Sequence, residues 1–420
     1  MRFLPSNRPL PFRWVVLGLA TWSQASATFV TYGIGPLAAI WQQDFSLSQT
    51  QAGLLVSVVN IGPLLSMLFV GRMLDQYGER WIIGCGSLLL GLTMGLAGFL
   101  SSYETLLFLL FLVGIHYGTA QPGGSKVVVQ WFPPAQRGLA MGIRQAGIPI
   151  GGALAGLCIP FLSIQYHWAT AVWLQAALAI TGGFLFLFIY RNPKTKETET
   201  KEDYRLWDEL KRLFQQKPLY PLLCSGWFLV SLQMVLVAHL VLFLKNTIEV
   251  SLVSAGRMLA VSLFFGMVGR MTLAWLSDTV WKGDRIRPLI LSIWSSVIGV
   301  ILLCTVSPYL PVWTLFFLCG WLGFFGIGWY SLFIVEVAER SSRRSIGLTV
   351  SYALTINQIA IITAPALFGW LVDWQDSYFP PWFLLTVPLG ASGIWLWSAY
   401  LRDSSPKKNC EKTIAEKKSF

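Results

Sequence analysis

Few side chains in this chain could do chemistry away from water, and they share a sign. Lys126 and Arg144 fall inside apolar stretches, joined by His116 and His239, whereas the Asp and Glu residues fall in loops, tails or helix ends. Ionisable groups inside a bilayer are costly, by about 2.5–3.5 kcal/mol each on the insertion scale, so each is a candidate functional group. A guanidinium stays charged at any working pH and grips a carboxylate with two parallel N–H donors. Buried cations without a mid-membrane acid therefore point to an anionic ligand and disfavour a cationic one. The alternative is that Arg144, seven residues after Arg137, and Lys126, five before Trp131, snorkel to a membrane surface. His116 could be a hydrogen-bonded structural group or a proton carrier.

Polar and aromatic residues recur beside these cations at helical spacing. Gln24, Thr28 and Tyr32 stand at i, i+4 and i+8, as do Trp321, Phe325 and Trp329. Tyr117 and Gln121, then Trp227, Ser231 and Gln233, then Asn357 and Gln358, complete the candidate lining of a small-molecule site. Packing is the competing explanation for the aromatic stripes. The run Gln121-Pro122-Gly123-Gly124 frees backbone groups and permits a bend. No nucleophile–base pair, phosphate loop or metal cluster stands at a usable spacing, so neither an enzyme nor a cofactor or metal site is expected.

The elements that position these residues follow from composition. Of 420 residues 55% are hydrophobic and 12% charged, with mean hydropathy +0.59, too few polar side chains for a water-soluble surface. Spans of about 20 apolar residues are predicted near 14–40, 51–71, 81–101, 104–131, 138–163, 168–190, 218–244, 252–276, 287–307, 310–335, 346–372 and 381–401. The first is too long for a cleavable leader. Backbone pairing in lipid and the lack of period-2 alternation leave α-helices. The six cysteines show no paired spacing. The net charge of +11 lies between the spans and forms no nucleic-acid patch.

Lys and Arg gather on one set of connections, at Arg72/Arg80, Arg137, 191–217, Lys282/Arg285/Arg287 and Arg340/Arg343/Arg344, which marks that side as cytoplasmic. Both termini are expected there, in a bacterial inner membrane. Residues 191–217 read as a solvated linker with an amphipathic helix, between halves at 1–190 and 218–401, with a tail at 402–420. The linker is either a plain connection or a regulatory segment.

The halves echo each other. Gly71-Arg72-Met73-Leu74-Asp75-Gln76-Tyr77-Gly78-Glu79-Arg80 is answered by Gly269-Arg270, Leu276-Ser277-Asp278 and Gly283-Asp284-Arg285. Arg137-Gly138 and Gly142 are answered by Glu336, Arg343-Arg344 and Gly347, and Arg144-Gln145 by Asn357-Gln358. Asp75 and Asp278 could meet helix N-termini and neighbouring arginines, latching one face shut in one state and releasing it in another. Gly71, Arg72, Asp75, Gly78, Arg80, Arg137, Asp278, Glu336 and Arg343 are the latch candidates; plain anchoring of helix ends is the alternative.

The Gly71–Arg80 segment resembles the cytoplasmic signature of the major facilitator superfamily, and span number, orientation and repeat agree over the whole chain apart from the termini and linker. The resemblance implies an all-α membrane protein of twelve transmembrane helices in two pseudo-symmetric six-helix bundles, monomeric, with the first, fourth, seventh and tenth spans around a central cavity. The Trp131-Phe132-Pro133 turn, Arg137-Gly138 and Arg144-Gln145 are similar to branches that carry small organic anions such as oxalate/formate, monocarboxylates or cyanate. The eighth span departs from that pattern, since Arg257 and Arg270 lie toward its ends with no charge midway. The expected function is carboxylate transport by proton symport or anion exchange. Efflux of a neutral or lipophilic compound and a non-transporting sensor are the alternatives.

Overall fold

The computed structural model describes residues 10–47, 49–99, 102–193, 206–305, 311–342 and 345–403, and among these every regular element is a helix. The first half comprises α1 (Leu10–Asp44), α2 (Gln49–Tyr77), α3 (Glu79–Ala97), α4 (Tyr103–Tyr117), α5 (Ala120–Trp131), α6 (Pro134–Gln165) and α7 (Trp168–Ile189). A short helix α8 (Leu206–Gln215) and a 3-10 turn (Lys217–Leu219) lead to α9 (Tyr220–Asn246), α10 (Leu252–Thr279), α11 (Ile286–Thr305), α12 (Val312–Gly326), α13 (Tyr330–Arg340), α14 (Ile346–Gln375) and α15 (Phe379–Asp403).

Eleven stretches of the described residues are long and apolar enough to cross a bilayer. The 35-residue α1 makes the twelfth span. Its Thr21, Ser23, Gln24, Ser26, Thr28 and Thr31 lower its hydropathy, and Gln24 and Thr28 are fully buried, so the polar groups face protein and not lipid. Two spans are broken, which periodicity alone does not show. The fourth divides into α4 and α5 at Gly118-Thr119, four residues before Pro122, whose ring would collide with the Gly118 carbonyl in a continuous helix. The tenth divides into α12 and α13 across Ile327–Trp329.

One face of the molecule carries the basic turns and is called here the basic face. Toward it, a continuous apolar core runs from Leu74, Val127 and Tyr190 of the first half into Phe333, Leu348 and Leu354 of the second. Toward the opposite face the first half has a core of its own, around Ile34, Trp41, Leu110 and Trp168. The halves are fused at one end and separate at the other. α8 lies against the basic face, with Leu210 and Leu213 buried in the shared core and Trp207 exposed.

Candidate functional site

The basic face is closed by two matching caps. A helix leaves its first N–H groups without intrahelical partners. The Asp75 carboxylate, at the end of α2, accepts from the N–H groups of Gly347 and Leu348 at 2.9 Å each, in the first turn of α14 in the other half. The Asp278 carboxylate, at the end of α10, accepts from Gly138 and Leu139 at 3.2 and 2.8 Å, in the opening turns of α6. The helices touch closely here: a Cβ on Gly71 would stand 2.5 Å from Ser351 Oγ and 2.8 Å from the Gly347 carbonyl.

Around each cap sits a buried ion cluster. Lys126 Nζ lies 2.8 Å from Asp75 and 3.1 Å from Glu79, and donates to the Leu74 carbonyl at 2.6 Å. Glu79 also accepts from the Tyr190 hydroxyl at 3.2 Å, and the Trp131 indole donates to that hydroxyl at 3.1 Å. On the other side Arg285 lies 2.5 Å from Asp278 and donates to the Pro134 carbonyl at 2.9 Å, and Glu339 pairs with Arg137 at 3.3 Å across the halves. Partial burial pushes the Glu209 carboxyl of α8 up from its ordinary value; Arg72 and Arg212 draw it down and Asp75 adds to the rise.

These positions correct several expectations. Lys126, expected to line a substrate site, instead lies in the ion cluster at the basic face, held by the carboxylates of Asp75 and Glu79. Arg80 anchors within its own half, donating to the Leu187 carbonyl at 2.6 Å, and Gly78 supplies the turn before it at φ 81°. Arg72 runs alongside Gln76 in the same helix, near Glu209 of α8. Glu336 pairs with Arg340 one turn on, at 2.5 Å, and of the two α13 acids it is Glu339 that crosses between halves. Arg343 lies outside the described residues. Glu79 and Arg285, which the sequence shows only as members of the repeated motifs, and Glu339 join the latch candidates, each within seven residues of one of them.

Deeper in, two arginines lie buried with neutral partners. Arg144 is fully buried and donates to Ser125 Oγ at 3.0 Å, Gln24 Oε1 at 2.6 Å and the Ala120 carbonyl at 2.8 Å, joining α6 to α5 and α1. It does not snorkel. Its Nε packs over Gly124, where a Cβ would collide with it. Arg270 of α10 is buried at 4% exposure and donates to the Ile327 carbonyl at 3.3 Å, beside the break in the tenth span. It also reaches across the halves to the Gln145 carbonyl at 3.2 Å and lies over the Tyr330 ring at 5.6 Å. Among the described residues no carboxylate pairs with either guanidinium.

The hydroxyls of Tyr117 and Tyr330 lie within electrostatic reach of both arginines, and that of Tyr32 within reach of Arg270. Tyr32 is 55% exposed although it lies within electrostatic reach of Arg270 in the other half. Asn357 is fully buried beside Tyr330 and within hydrogen-bonding range of its hydroxyl, and Gln121 has its Oε1 unpaired. Buried polar groups are nearly always bonded, so such atoms at a pocket call for a ligand or water.

Other lining candidates turn inward. Gln24 bonds Arg144 and also Thr28, at 3.1 Å, so this pair supports the arginine. His116 contacts Thr93 of α3 at 3.4 Å, and His239 the Pro365 carbonyl at 2.9 Å; both hold neighbouring helices. Trp321 donates to the Ser295 carbonyl of α11 at 2.9 Å, Trp329 is fully buried against Tyr330 and Phe333, and Trp227 packs on the core. Gln233 is half-buried on α9 with Oε1 unpaired. The proposed pairing of Arg144 with Asn357 in the repeat is out of register. The caps align Gly138 with Gly347, which sets Arg144 against Ala353.

Two bundles of membrane-length helices, joined across the basic face and carrying buried arginines between them, are the architecture of a two-bundle membrane transporter. The chain belongs to the Major Facilitator Superfamily, whose profile matches residues 20–345. It is 30% identical over 281 residues to an uncharacterized MFS-type transporter, Rv2994, of Mycobacterium tuberculosis (strain ATCC 25618 / H37Rv), covering 66% of this chain and 61% of that relative's length. It is 23% identical over 359 residues to the hexuronate transporter of Bacillus subtilis (strain 168), covering 82% and 84% of the two chains. In fold it is similar to the transporter FucP in the outward conformation, with a TM-score of 0.74 at 14% identity, over 93% of this chain and 99% of that one.

Proposed function

We propose that this chain is a secondary transporter of small organic anions, carboxylate-type metabolites, which it moves by alternating access with proton symport or anion exchange as the driving force. The observation that carries the reading is the pair of buried arginines, Arg144 and Arg270, with neutral partners only. Burying an ion without a counter-charge costs about several kcal/mol even after relaxation, and a bound carboxylate offsets that cost while a neutral or cationic solute does not. Arg270, Tyr32, Asn357 and Gln121 contact the substrate, and Arg144, held by Gln24 and Ser125, supplies the positive field behind them. The hexuronate transporter among the relatives supports a sugar-acid-like ligand.

The basic face is the cytoplasmic face of a bacterial inner membrane, so the described state opens to the exterior. Residues 1–190 and 218–401 form the moving halves, and both termini are cytoplasmic. The test is a thermal-shift series on purified protein with sugar acids, matched neutral sugars and lipophilic cations. A ligand at 100 times its Kd stabilises by about 2.7 kcal/mol. The acids are expected to raise Tm and Arg270→Gln to remove the rise; an equal rise from neutral sugars, or an undiminished rise in the variant, refutes the anion assignment.

A further inference from the structure

The side of α6 that meets the second half carries a polar side chain with nothing to bond. Gln145 is fully buried, and neither its Nε2 nor its Oε1 has a hydrogen-bond partner among the described residues. A buried amide left without a partner costs stability, and buried polar groups are nearly always bonded, so this one is a candidate for ligand contact.

The helix fixes where it points. A Cβ on Gly142 would stand 2.7 Å from the Arg270 carbonyl of α10, and one on Gly152 would stand 3.0 Å from the Tyr32 ring. At about 100° per residue, Gln145 projects about 60° from Gly142 and about 20° from Gly152. Its side chain therefore shares their side of α6, with Arg270 toward the basic face and Tyr32 toward the opposite one. The Gln145 carbonyl also accepts from Arg270 Nη1 at 3.2 Å. Pro149, four residues on, has no N–H to give that carbonyl, which leaves it free for the guanidinium. Arg270 Nε donates to Ile327, so Nη2 is the edge left for a carboxylate.

We propose that Gln145 selects among acids at this site, favouring those that carry hydroxyls on the carbons next to the carboxylate. The inference rests on the anion reading above and adds to it the substrate feature that is read and the residue that reads it. An amide presents a donor group and an acceptor. A carboxylate only accepts and would leave Oε1 unpaired, whereas neighbouring hydroxyls, one accepting and one donating, satisfy both ends. With the carboxylate on Arg270, the hydroxyls that follow it along the chain are the ones within reach of Gln145.

The experiment is calorimetric titration of the full-length protein in neutral detergent with gluconate, 2-deoxygluconate and 6-deoxygluconate. Leaving a buried polar group unpaired costs about 10- to 100-fold in affinity, so the wild type should bind 2-deoxygluconate that much more weakly than gluconate, and 6-deoxygluconate about as tightly as gluconate. Gln145→Met keeps the length of the side chain and removes both hydrogen-bonding ends. It should bring gluconate down to the level of 2-deoxygluconate, with the affinity for 2-deoxygluconate itself changed by no more than about twofold. Gln145→Leu, expected to give the same collapse, serves if the methionine variant does not fold. An equal affinity of the wild type for gluconate and 2-deoxygluconate, an equal penalty for 6-deoxygluconate, or a wild-type ratio kept in the variants overturns this proposal and leaves the anion reading standing. Failure of all three acids to bind the wild type overturns both.

Discussion

Replacing Asp75 by Asn keeps the shape of the side chain and one carbonyl oxygen but removes the charge. In the closed state that carboxylate accepts two N–H bonds from α14 at 2.9 Å each and faces Lys126 at 2.8 Å. The substitution leaves one of the two cross-bundle bonds, now neutral, and Lys126 retains Glu79 as a partner. A hydrogen bond to a charged group contributes about 1.5–3 kcal/mol, and a charge at a helix N-terminus about 0.3–1 kcal/mol. The closed arrangement should therefore lose about 2–4 kcal/mol, and at about 1.4 kcal/mol per tenfold the population shifts about 30- to 1000-fold toward an open basic face. Spin labels at Tyr77 and Ser342, on a background with the native cysteines replaced, report the separation across this face by pulsed dipolar spectroscopy. Asp75→Asn should add a longer distance absent from the parent, Asp278→Asn should do the same, and the double variant should sum the two shifts to within about 0.5 kcal/mol, as for separate sites. An unchanged distance distribution in both single variants would show that the caps do not hold the gate.

Lys126→Met leaves Asp75 and Glu79 buried and facing each other, and since removing one partner of a buried ion pair costs about 3–5 kcal/mol, a large fall in Tm is expected with little change in the Kd of the folded fraction; a selective loss of ligand affinity would return Lys126 to the substrate site. Trp321→Phe deletes the donor to the Ser295 carbonyl and should cost about 1 kcal/mol of stability with substrate affinity unchanged, as calorimetry can check. The raised Glu209 carboxyl binds its proton more tightly when α8 is docked, so docking is strongest below the ordinary carboxylate value and weakens as pH rises through the raised one. Hydrogen exchange of α8 amides should accelerate over that window, and Glu209→Gln should abolish the dependence.

Much of this architecture is legible in the sequence because lipid enforces it: span length, basic connections and the matched aspartates at Asp75 and Asp278 follow from the solvent and not from packing detail. Which way a side chain faces is less legible. Lys126 and Arg144 look alike in a hydropathy profile, yet one meets two carboxylates and the other Gln24 and Ser125. Arg270 lies toward a helix end in the sequence, but its relation to Asp278 carries the signal: eight residues before a residue that caps the other half, it shares the side of α10 that faces α6. The Trp321–Phe325–Trp329 stripe has helical spacing, but the break at Ile327–Trp329 takes its last member off the common face. Repeat register is hard to read for a related reason: local letter matches favour Asn357 as the counterpart of Arg144, whereas the three-dimensional caps select Ala353.

Two buried arginines that have hydrogen-bond partners but no carboxylate partner among the described residues suit a carrier site for organic anions. Counterflow in proteoliposomes addresses it: vesicles loaded with unlabelled hexuronate are diluted into a trace of labelled hexuronate, beside a parallel set with the neutral hexose. The acid should accumulate transiently and the hexose should not, with Arg270→Gln flat under both conditions. Accumulation of the hexose equal to that of the acid, or full counterflow in Arg270→Gln, would show that the arginines do not select an anion.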